Sequence, residues 1–454
     1  MRFRDEGDAI TYIFRSLRRL RDVERGPDEL ARDVTPTRRL LTATGLLDAA
    51  GAREYAVVTG SKGKGSTTAI TAKLLEHLGH STGMVTSPHL VQYRERIRVN
   101  GRMIPEADFI RILDDLAPEI DRIEAEFTGT QYFSPQGIFL AIALQWFNEQ
   151  EVTAAVLEVG RGGRFDDIAV VPNRLSLFTP ILLEHVVQLG RSLDRIAWHK
   201  AGIIKPQSFA YSVPQAAEVL DIVQAEAEAL DAEFAWIAPT DMAELVRRTP
   251  EGMILRLGRY GEMALSQHGI YDLENATLAV QGAGNMHGRL SGVPHASEAY
   301  VEAIRAGLAD VRWPGRMQKL QESPAVWLDG ATTVRAARYM LESLDGDLRD
   351  PVIAIIGTPI DRDYRGVYQA FAPHVSRIIL TDSAINPNIR FPAPEAALAA
   401  ARAVHDQVEY APNLATALDI ARRAAEADGT VLMAVTLPLV GEAMLLYGLT
   451  FEQI

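Results

Sequence analysis

The hydrophobic pattern divides the chain into alternating strands and helices. Residues 8–47 carry one apolar stripe at Ile10, Ile13, Phe14 and Leu17 and a second at Leu40, Leu41, Leu46 and Leu47. Those spacings predict helices, punctuated by Pro27 and Pro36 and packed as a lid on the core. EYAVV then reads as a buried strand ending at Val58, and Ile70, Leu74, Leu75 and Leu78 recur behind it at helical spacing. TGMVTS predicts a second strand ending at Ser87, and residues 105–126 and 136–149 predict helices. TAAVLEVG and LSLFTPI read as two more buried strands, and residues 208–237 continue the alternation. Residues 251–266 alternate over short segments, as a hairpin does, and a helix is expected from about Leu273. Strands alternating with helices imply an α/β protein whose sheet is mostly parallel, with ligands at the strand C-termini.

VRWPGR, ending at Arg316, breaks both kinds of regular structure and reads as a domain junction. Beyond it AVWLDG, PVIAIIG, SRIILTD and VLMAV are four apolar strands separated by helical segments. The expected division is a P-loop domain with N-terminal helices over residues 1–312 and a smaller Rossmann-like α/β domain over 313–454. No glycine fingerprint follows the first strand of the second domain, so no dinucleotide is assigned to it.

Composition narrows the function. At 454 residues the chain is too long for one ordinary core. A hydrophobic fraction of 47% with 23% charged residues describes a soluble globular protein. A net charge of −13 argues against nucleic acid as the main partner but leaves anionic small molecules open, because local residues set a site. The absence of cysteine excludes disulfides, thiolate nucleophiles and thiolate metal sites. MRFRDEGDAITYIF carries charges where a signal peptide needs an apolar core, and no stretch approaches the roughly 20 apolar residues of a membrane span. A cytoplasmic enzyme is expected, monomeric or homo-oligomeric, without membrane or nucleic-acid partners.

The chemistry concentrates between the first strand and its helix, in TGSKGKGST. Gly60, Gly63 and Gly65 let the backbone turn tightly and bring N–H groups near a phosphate, with Ser61 and Lys62 in the same loop. The following helix aims its N-terminus at the same place. Lys64 is placed to reach the outer phosphates, and Ser66 or Thr67 to ligate Mg²⁺. The strict P-loop pattern is not met: Val58 stands where its first Gly belongs, and Gly65 follows the Lys where Ser or Thr belongs. Glu158 ends a buried strand before a second glycine-rich loop, a position suited to a magnesium ligand. An ordinary surface acid or helix cap is the bland alternative.

GKGST, followed by TSPHL and RERIRVNG, resembles the folylpolyglutamate and dihydrofolate synthases of the wider Mur ligase family. The resemblance covers most of residues 55–316 and thins after that. EVGRGGRFDD resembles the family's EVGLGGRLDATN, which associates Glu158 with magnesium. His185 lies where the family has a second-metal histidine, although Glu184 replaces its Asp. Lys200, in HKAGIIKP, matches the family lysine that is often carbamylated, with His199 in place of a Glu. A carbamate would turn an ammonium that repels the metal into an anion that holds it. Asn275 resembles the family residue that meets adenine, and Arg316 and Asp329 resemble interdomain residues contacting the ATP phosphates and ribose. Ser87, ending the second strand, joins Ser66, Glu158, His185 and Lys200 in the implied set of metal ligands, which makes two Mg²⁺ sites. The implied catalytic groups are Lys64, Lys200, His185 and Arg316.

The pattern breaks in the C-terminal part. The family's DGAHNP is DGATTV here, with Thr332 and Thr333; its GSLYLVG is VTLPLVG, with Thr436 and Pro438; and its FExxT is YFSPQG around Phe133. In the family these positions lie near the acceptor and incoming amino-acid sites. The resemblance implies an ATP-dependent amide ligase that activates a small-molecule carboxylate as an acyl phosphate for attack by an amine, normally a folate and glutamate. The departures open two alternatives: the same chemistry on a non-folate acid and another amine, or a nucleotide-binding protein without ligase activity. Retention of Lys64, Ser66, Glu158, His185 and Lys200 favours the ligase, and phosphate release against a panel of acids and amines discriminates the three.

Overall fold

The protein is described from a computed structural model, for residues 2–47, 53–292, 297–383 and 389–454. Strands β1 (Glu54–Thr59), β2 (Thr82–Val85), β3 (Ile97–Val99), β4 (Arg102–Met103), β5 (Ala154–Glu158), β6 (Leu175–Phe178), β7 (Phe209–Ser212) and β8 (Glu233–Trp236) form one sheet in the order β4-β3-β2-β5-β1-β6-β7-β8. All neighbours pair in parallel except β2–β3 and β3–β4. The central strands are buried along their length and need helices on both faces, which is why they read as unbroken apolar runs.

One face carries the N-terminal helices with those over Glu106–Glu124, Pro135–Glu149, Leu193–Ala201 and Ala217–Ala229. The Pro135–Glu149 helix is buried from Gly137 to Leu144, as a helix apolar on all sides must be. The other face carries the helices Lys64–His77, Asp272–Ser291 and Glu298–Asp310. Strands β9 (Glu244–Thr249), β10 (Gly252–Arg256) and β11 (Glu262–Leu265) make a small antiparallel sheet, one strand more than the expected hairpin.

A six-stranded sheet follows, of β12 (Gln318–Gln321), β13 (Ala325–Asp329), β14 (Val352–Gly357), β15 (Arg377–Thr381), β16 (Val408–Ala411) and β17 (Thr430–Val435), in the order β12-β13-β17-β14-β15-β16. The four expected strands are its parallel centre. Its edges, QKLQ and VEYA, carry too little continuous apolar character to be read as strands. The N-terminal region forms helices at Glu6–Arg18, Asp28–Ala31 and Thr35–Ala43. The second strand stops at Val85 and not at Ser87: Thr86 and Ser87 already belong to the loop that leaves the sheet.

Candidate nucleotide-binding active site

The parallel register sets the site. Val58 pairs with Glu158 and Thr59 with Phe178, so the C-terminal ends of β1, β5 and β6 deliver their loops to one edge. A cavity of about 720 Å³ opens there, lined from one side by Ser61, Lys64 and Ser66 and from the other by Arg316, Asp329 and Thr332. The two sides come from the two large sheets, so the cavity lies between them.

The P-loop is held from below. Ser61 N–H donates to Pro180 O at 2.7 Å, and the Ser61 hydroxyl donates to Leu182 O at 3.2 Å while accepting from Leu182 N–H at 2.9 Å. Thr59 Oγ1 donates to Gly162 O at 2.6 Å, which ties the end of β1 to the second glycine-rich loop. Gly63 caps the helix Lys64–His77 with φ +83°, and a Cβ there would lie 2.3 Å from Asn275 Oδ1. Lys64 Nζ donates to Gly60 O at 3.1 Å. Lys62 also lines the cavity; burial lowers its pKa and Glu184 opposes the shift.

Asn275 faces the P-loop. Its Oδ1 accepts from Thr67 Oγ1 at 3.2 Å and its Nδ2 donates to Asp272 at 2.9 Å, so both ends of the amide have protein partners. Burial raises Asp272 to about 7. Asp329 is buried and accepts from Tyr271 Oη at 2.7 Å and from Met317 N–H at 2.9 Å; burial raises its pKa and Arg316 opposes the shift. Arg316 donates to Gly315 O at 2.9 Å and lines the cavity.

Glu158 is 5% exposed and accepts from Ser87 N–H at 2.9 Å. Burial raises its pKa, and Lys64 is the largest opposing charge. Lys200 is 1% exposed and lies behind the P-loop, outside the cavity lining. Its Nζ donates to Gly60 O at 2.7 Å and stands 3.5 Å from Glu184. Burial, with Lys64 nearby, depresses it to about 7 despite Glu184. Burial pushes Glu184 the other way, upward, but Lys200 and Lys64 outweigh it and the net shift is downward. His185 is exposed, in a left-handed turn with φ +49°. Among the described residues no three or more His, Asp or Glu side chains converge as a ligand cage. The donors are instead one buried carboxylate and hydroxyls beside a phosphate loop, which suits Mg²⁺, an ion bound through few protein ligands plus phosphate oxygens and water.

Two corrections concern the residues that break the family pattern. Phe133 is fully buried in the core and does not line this cavity. Pro438 is in the first turn of the helix Leu437–Leu446, where its missing N–H costs nothing, and does not line the cavity. Thr332, Thr333 and Thr436 do line it. Thr333 Oγ1 caps the helix Val334–Ser343 by accepting from Ala336 N–H at 3.3 Å.

Other site residues carry no motif. Trp313, Arg335, Arg362 and Arg390 line the cavity. Arg32 joins Asp166 at 3.2 Å and Asp167 at 3.6 Å, which fixes the glycine-rich loop from the N-terminal region. The position of Arg362 just past a strand C-terminus was the one available signal.

A family model described as "Mur ligase, glutamate ligase domain" matches residues 315–435, the part in which motif-level resemblance thins. The dihydrofolate synthase/folylpolyglutamate synthase of Mycobacterium tuberculosis is 29% identical over 382 residues, 80% of this chain and 77% of that protein. The enzyme of the same name from Bacillus subtilis is 29% identical over 318 residues, 68% of this chain and 72% of that protein. A solved structure of Mycobacterium tuberculosis folylpolyglutamate synthase, complexed with ADP and AMPPCP, superposes with a TM-score of 0.81 at 26% identity, covering 98% of this chain and all of that one. Fold and likenesses together define an ATP-dependent ligase whose residues 315–435 match the glutamate ligase domain of Mur ligases. Within that class the chain is similar to the folylpolyglutamate and dihydrofolate synthases along nearly its whole length.

Proposed function

We propose that the protein joins a small-molecule carboxylic acid to an amine at the cavity between its two large sheets, with the domain division at residues 312/313. The γ-phosphoryl group of ATP passes to an oxygen of the acid, releasing ADP. The amine nitrogen attacks the acyl carbon, and inorganic phosphate leaves with that oxygen as the amide forms. No side-chain nucleophile takes part. Lys64 and the P-loop N–H groups of residues 60–67 hold the phosphates, and Arg316 meets the charge that develops on the transferred group. Asp329 and Asn275 complete the nucleotide side. Asn275 lines the cavity and would meet the adenine edge with the donor and acceptor capacity left beyond its bonds to Thr67 and Asp272.

Ser66, Ser87 and Glu158 would hold one Mg²⁺, and His185 with Lys200 a second. Magnesium, when bound, would neutralise phosphate charge and orient the acyl group. Lys200 would serve as its carbamate: a buried amine with a pKa of about 7 is substantially neutral at neutral pH and available to CO₂. The observation that carries the reading is the opposition of Lys64 and Arg316 across one cavity.

The acid and amine of the likenesses are a folate and an amino acid; the second reading keeps the chemistry on a non-folate acid and a different amine. Thr332, Thr333 and Thr436, which replace family residues, sit on the cavity wall and favour that second reading. Among the described residues no helix is long and apolar enough to cross a membrane, and action in the cytoplasm on small molecules accords with that. Phosphate release from Mg·ATP, measured against a panel of acids and amines with product mass, tests the proposal. Release that no acid stimulates would overturn it.

A further inference from the structure

The segment that follows the last helix, Leu437–Leu446, leaves the second sheet and pairs with the edge of the first. Met103 N–H donates to Glu452 O at 2.8 Å, and Ile454 N–H donates to Gly101 O at 3.1 Å. Arg102 and Gln453 form an antiparallel bridge. The Arg98 guanidinium donates to Gly101 O at 3.1 Å and to Glu452 O at 3.3 Å. Arg98 is 2% exposed, and its Nε has no hydrogen-bond partner among the described residues. Losing the carbonyl of Glu452 would leave this buried cation still poorer in partners, which works against release of the segment. Edge strands present unpaired N–H and C=O groups, and an added strand satisfies them.

The added strand carries one large side chain into the site. Phe451 is 5% exposed and lines the cavity. It belongs to the apolar cluster against which Leu90 and Val91 pack. Leu90, Glu95 and Arg98 line the same cavity and come from the loop after β2 and from β3. The nucleotide side, by contrast, is made by Tyr271, Asn275, Arg316 and Asp329. Phe451 therefore stands at the end of the cavity served by the first sheet's edge.

We propose that residues 449–454 form an interdomain strap and that Phe451, which it carries, is a specificity-determining residue for the carboxylate substrate. This rests on the ligase reading above. The strap closes the cavity wall only when the second sheet is docked, so the acid is recognised by a side chain from the far domain. An apolar wall at that end selects an acid with an apolar or aromatic body behind its carboxylate.

The test combines hydrogen exchange with kinetics on the full chain carrying Phe451→Ala or Phe451→Leu. In the unmodified protein the amides of Met103 and Ile454 are expected to be protected. Phe451→Ala should speed their exchange and raise KM for the acid by about tenfold or more, as loss of apolar contact in a pocket does. ADP affinity should stay within about twofold. Phe451→Leu should recover most of the acid KM. The proposal is overturned if those two amides exchange freely in the unmodified protein. It is equally overturned if Phe451→Ala leaves the acid KM unchanged, or weakens ADP and acid by the same factor. Absence of turnover with every acid would count against the ligase reading instead, and the exchange result would still decide whether the strap exists.

Discussion

The indole of Trp313 lies against Gly65. A Cβ at residue 65 would stand 3.1 Å from Cζ2 of the ring and 3.5 Å from a Glu158 carboxylate oxygen. This is the position at which the strict P-loop pattern has Ser or Thr. A side chain at residue 65 would therefore have to push this ring of the linker between the two sheets aside. Since the same linker carries Arg316, P-loop shape and Arg316 placement are joined through this contact.

Gly65→Ser, which supplies the hydroxyl residue of the strict pattern at that position, should therefore weaken nucleotide binding. Overpacking of this kind costs about 1–3 kcal/mol, or roughly five- to a hundredfold in affinity. Calorimetry with ADP measures it, and Gly65→Ser combined with Trp313→Ala should recover part of the loss because the two sites share a contact. Unchanged or tighter binding in the single variant would show that the ring gives way freely.

Much of this site was legible in the sequence, for physical reasons. Glycines between a buried strand and a helix announce a phosphate loop because few other uses need that combination, and Glu158 stood out as an acid at the end of an apolar run. Asn275 was legible as a site residue, but its partner Thr67 was not, since that pairing depends on how one helix crosses another. Arg32, Trp313 and Phe451 were illegible for the same reason: each acts through residues far away in sequence. Short, polar edge strands such as QKLQ were missed because a strand solvated on one side lacks the continuous apolar run of a central one.

Lys64→Ala should abolish acid-stimulated phosphate release while leaving the fold intact. Among the described residues Lys64 Nζ makes one hydrogen bond, to Gly60 O, so little native structure depends on it. Removing one preorganised charge from a transferred phosphoryl group costs at least about a hundredfold in rate. A thermal midpoint close to that of the unmodified protein, together with lost turnover, is the expected pair of results. Full turnover would show that Lys64 is not the phosphate-binding lysine.

His268 makes a pH prediction away from the cavity. Its ring stands edge-on to Trp327, centroids 4.9 Å apart, where β11's outgoing chain meets the second sheet. Burial lowers its pKa from the ordinary 6.5 to about 4, with Lys319 and Arg248 adding and Asp347 and Glu251 opposing. Between those two values the unfolded chain binds the proton and the folded chain does not, so this group's contribution falls as pH drops from 6.5 toward 4. At roughly 1.4 kcal/mol per unit the full effect is about 3 kcal/mol at most. His268→Gln should lack it: denaturation midpoints for the two proteins should converge on, or cross toward, the variant as pH falls from 7 to 4. A difference constant with pH would show that His268 is not held neutral by its surroundings.

Lys200 should carry a carbamate in the active protein. Its amine is buried, is 2.7 Å from Gly60 O and has a pKa near 7, a combination that leaves it nucleophilic at neutral pH. Activity should then depend on bicarbonate, and Lys200→Ala should be inactive but partly restored by short carboxylic acids. A bare ammonium paired with Glu184 in a crystal of the Mg·ATP complex would defeat the idea, as would full activity of Lys200→Ala.

The protein should use the ordinary folate and glutamate pair poorly. Three of the departures from the family pattern, Thr332, Thr333 and Thr436, line the cavity from the second sheet's side. Arg316 and Asp329 match the family, whereas Thr332, Thr333 and Thr436 replace it there. Exchanging His and Asn for two Thr removes an imidazole and an amide, so longer-reaching groups become short hydroxyls. Thr333 is further committed, since its oxygen already accepts from Ala336 N–H at 3.3 Å to cap a helix. Arg335, two residues on, points its guanidinium to Tyr339 Oη at 2.7 Å. A site built on polar contacts rejects a substrate strongly once its partners are missing. The competing account is that Arg335, Arg362 or Arg390, all on the same wall, have taken over the lost contacts. Steady-state kinetics with dihydropteroate or reduced folates plus glutamate separates the two. A kcat/KM of about 10⁴ M⁻¹s⁻¹ or more would place the pair among ordinary enzyme substrates and end the idea. Turnover only with another acid or amine would support it. Restoring His at 332 and Asn at 333 should then leave that activity no better, because the wall would have been rebuilt for a substrate the protein does not use.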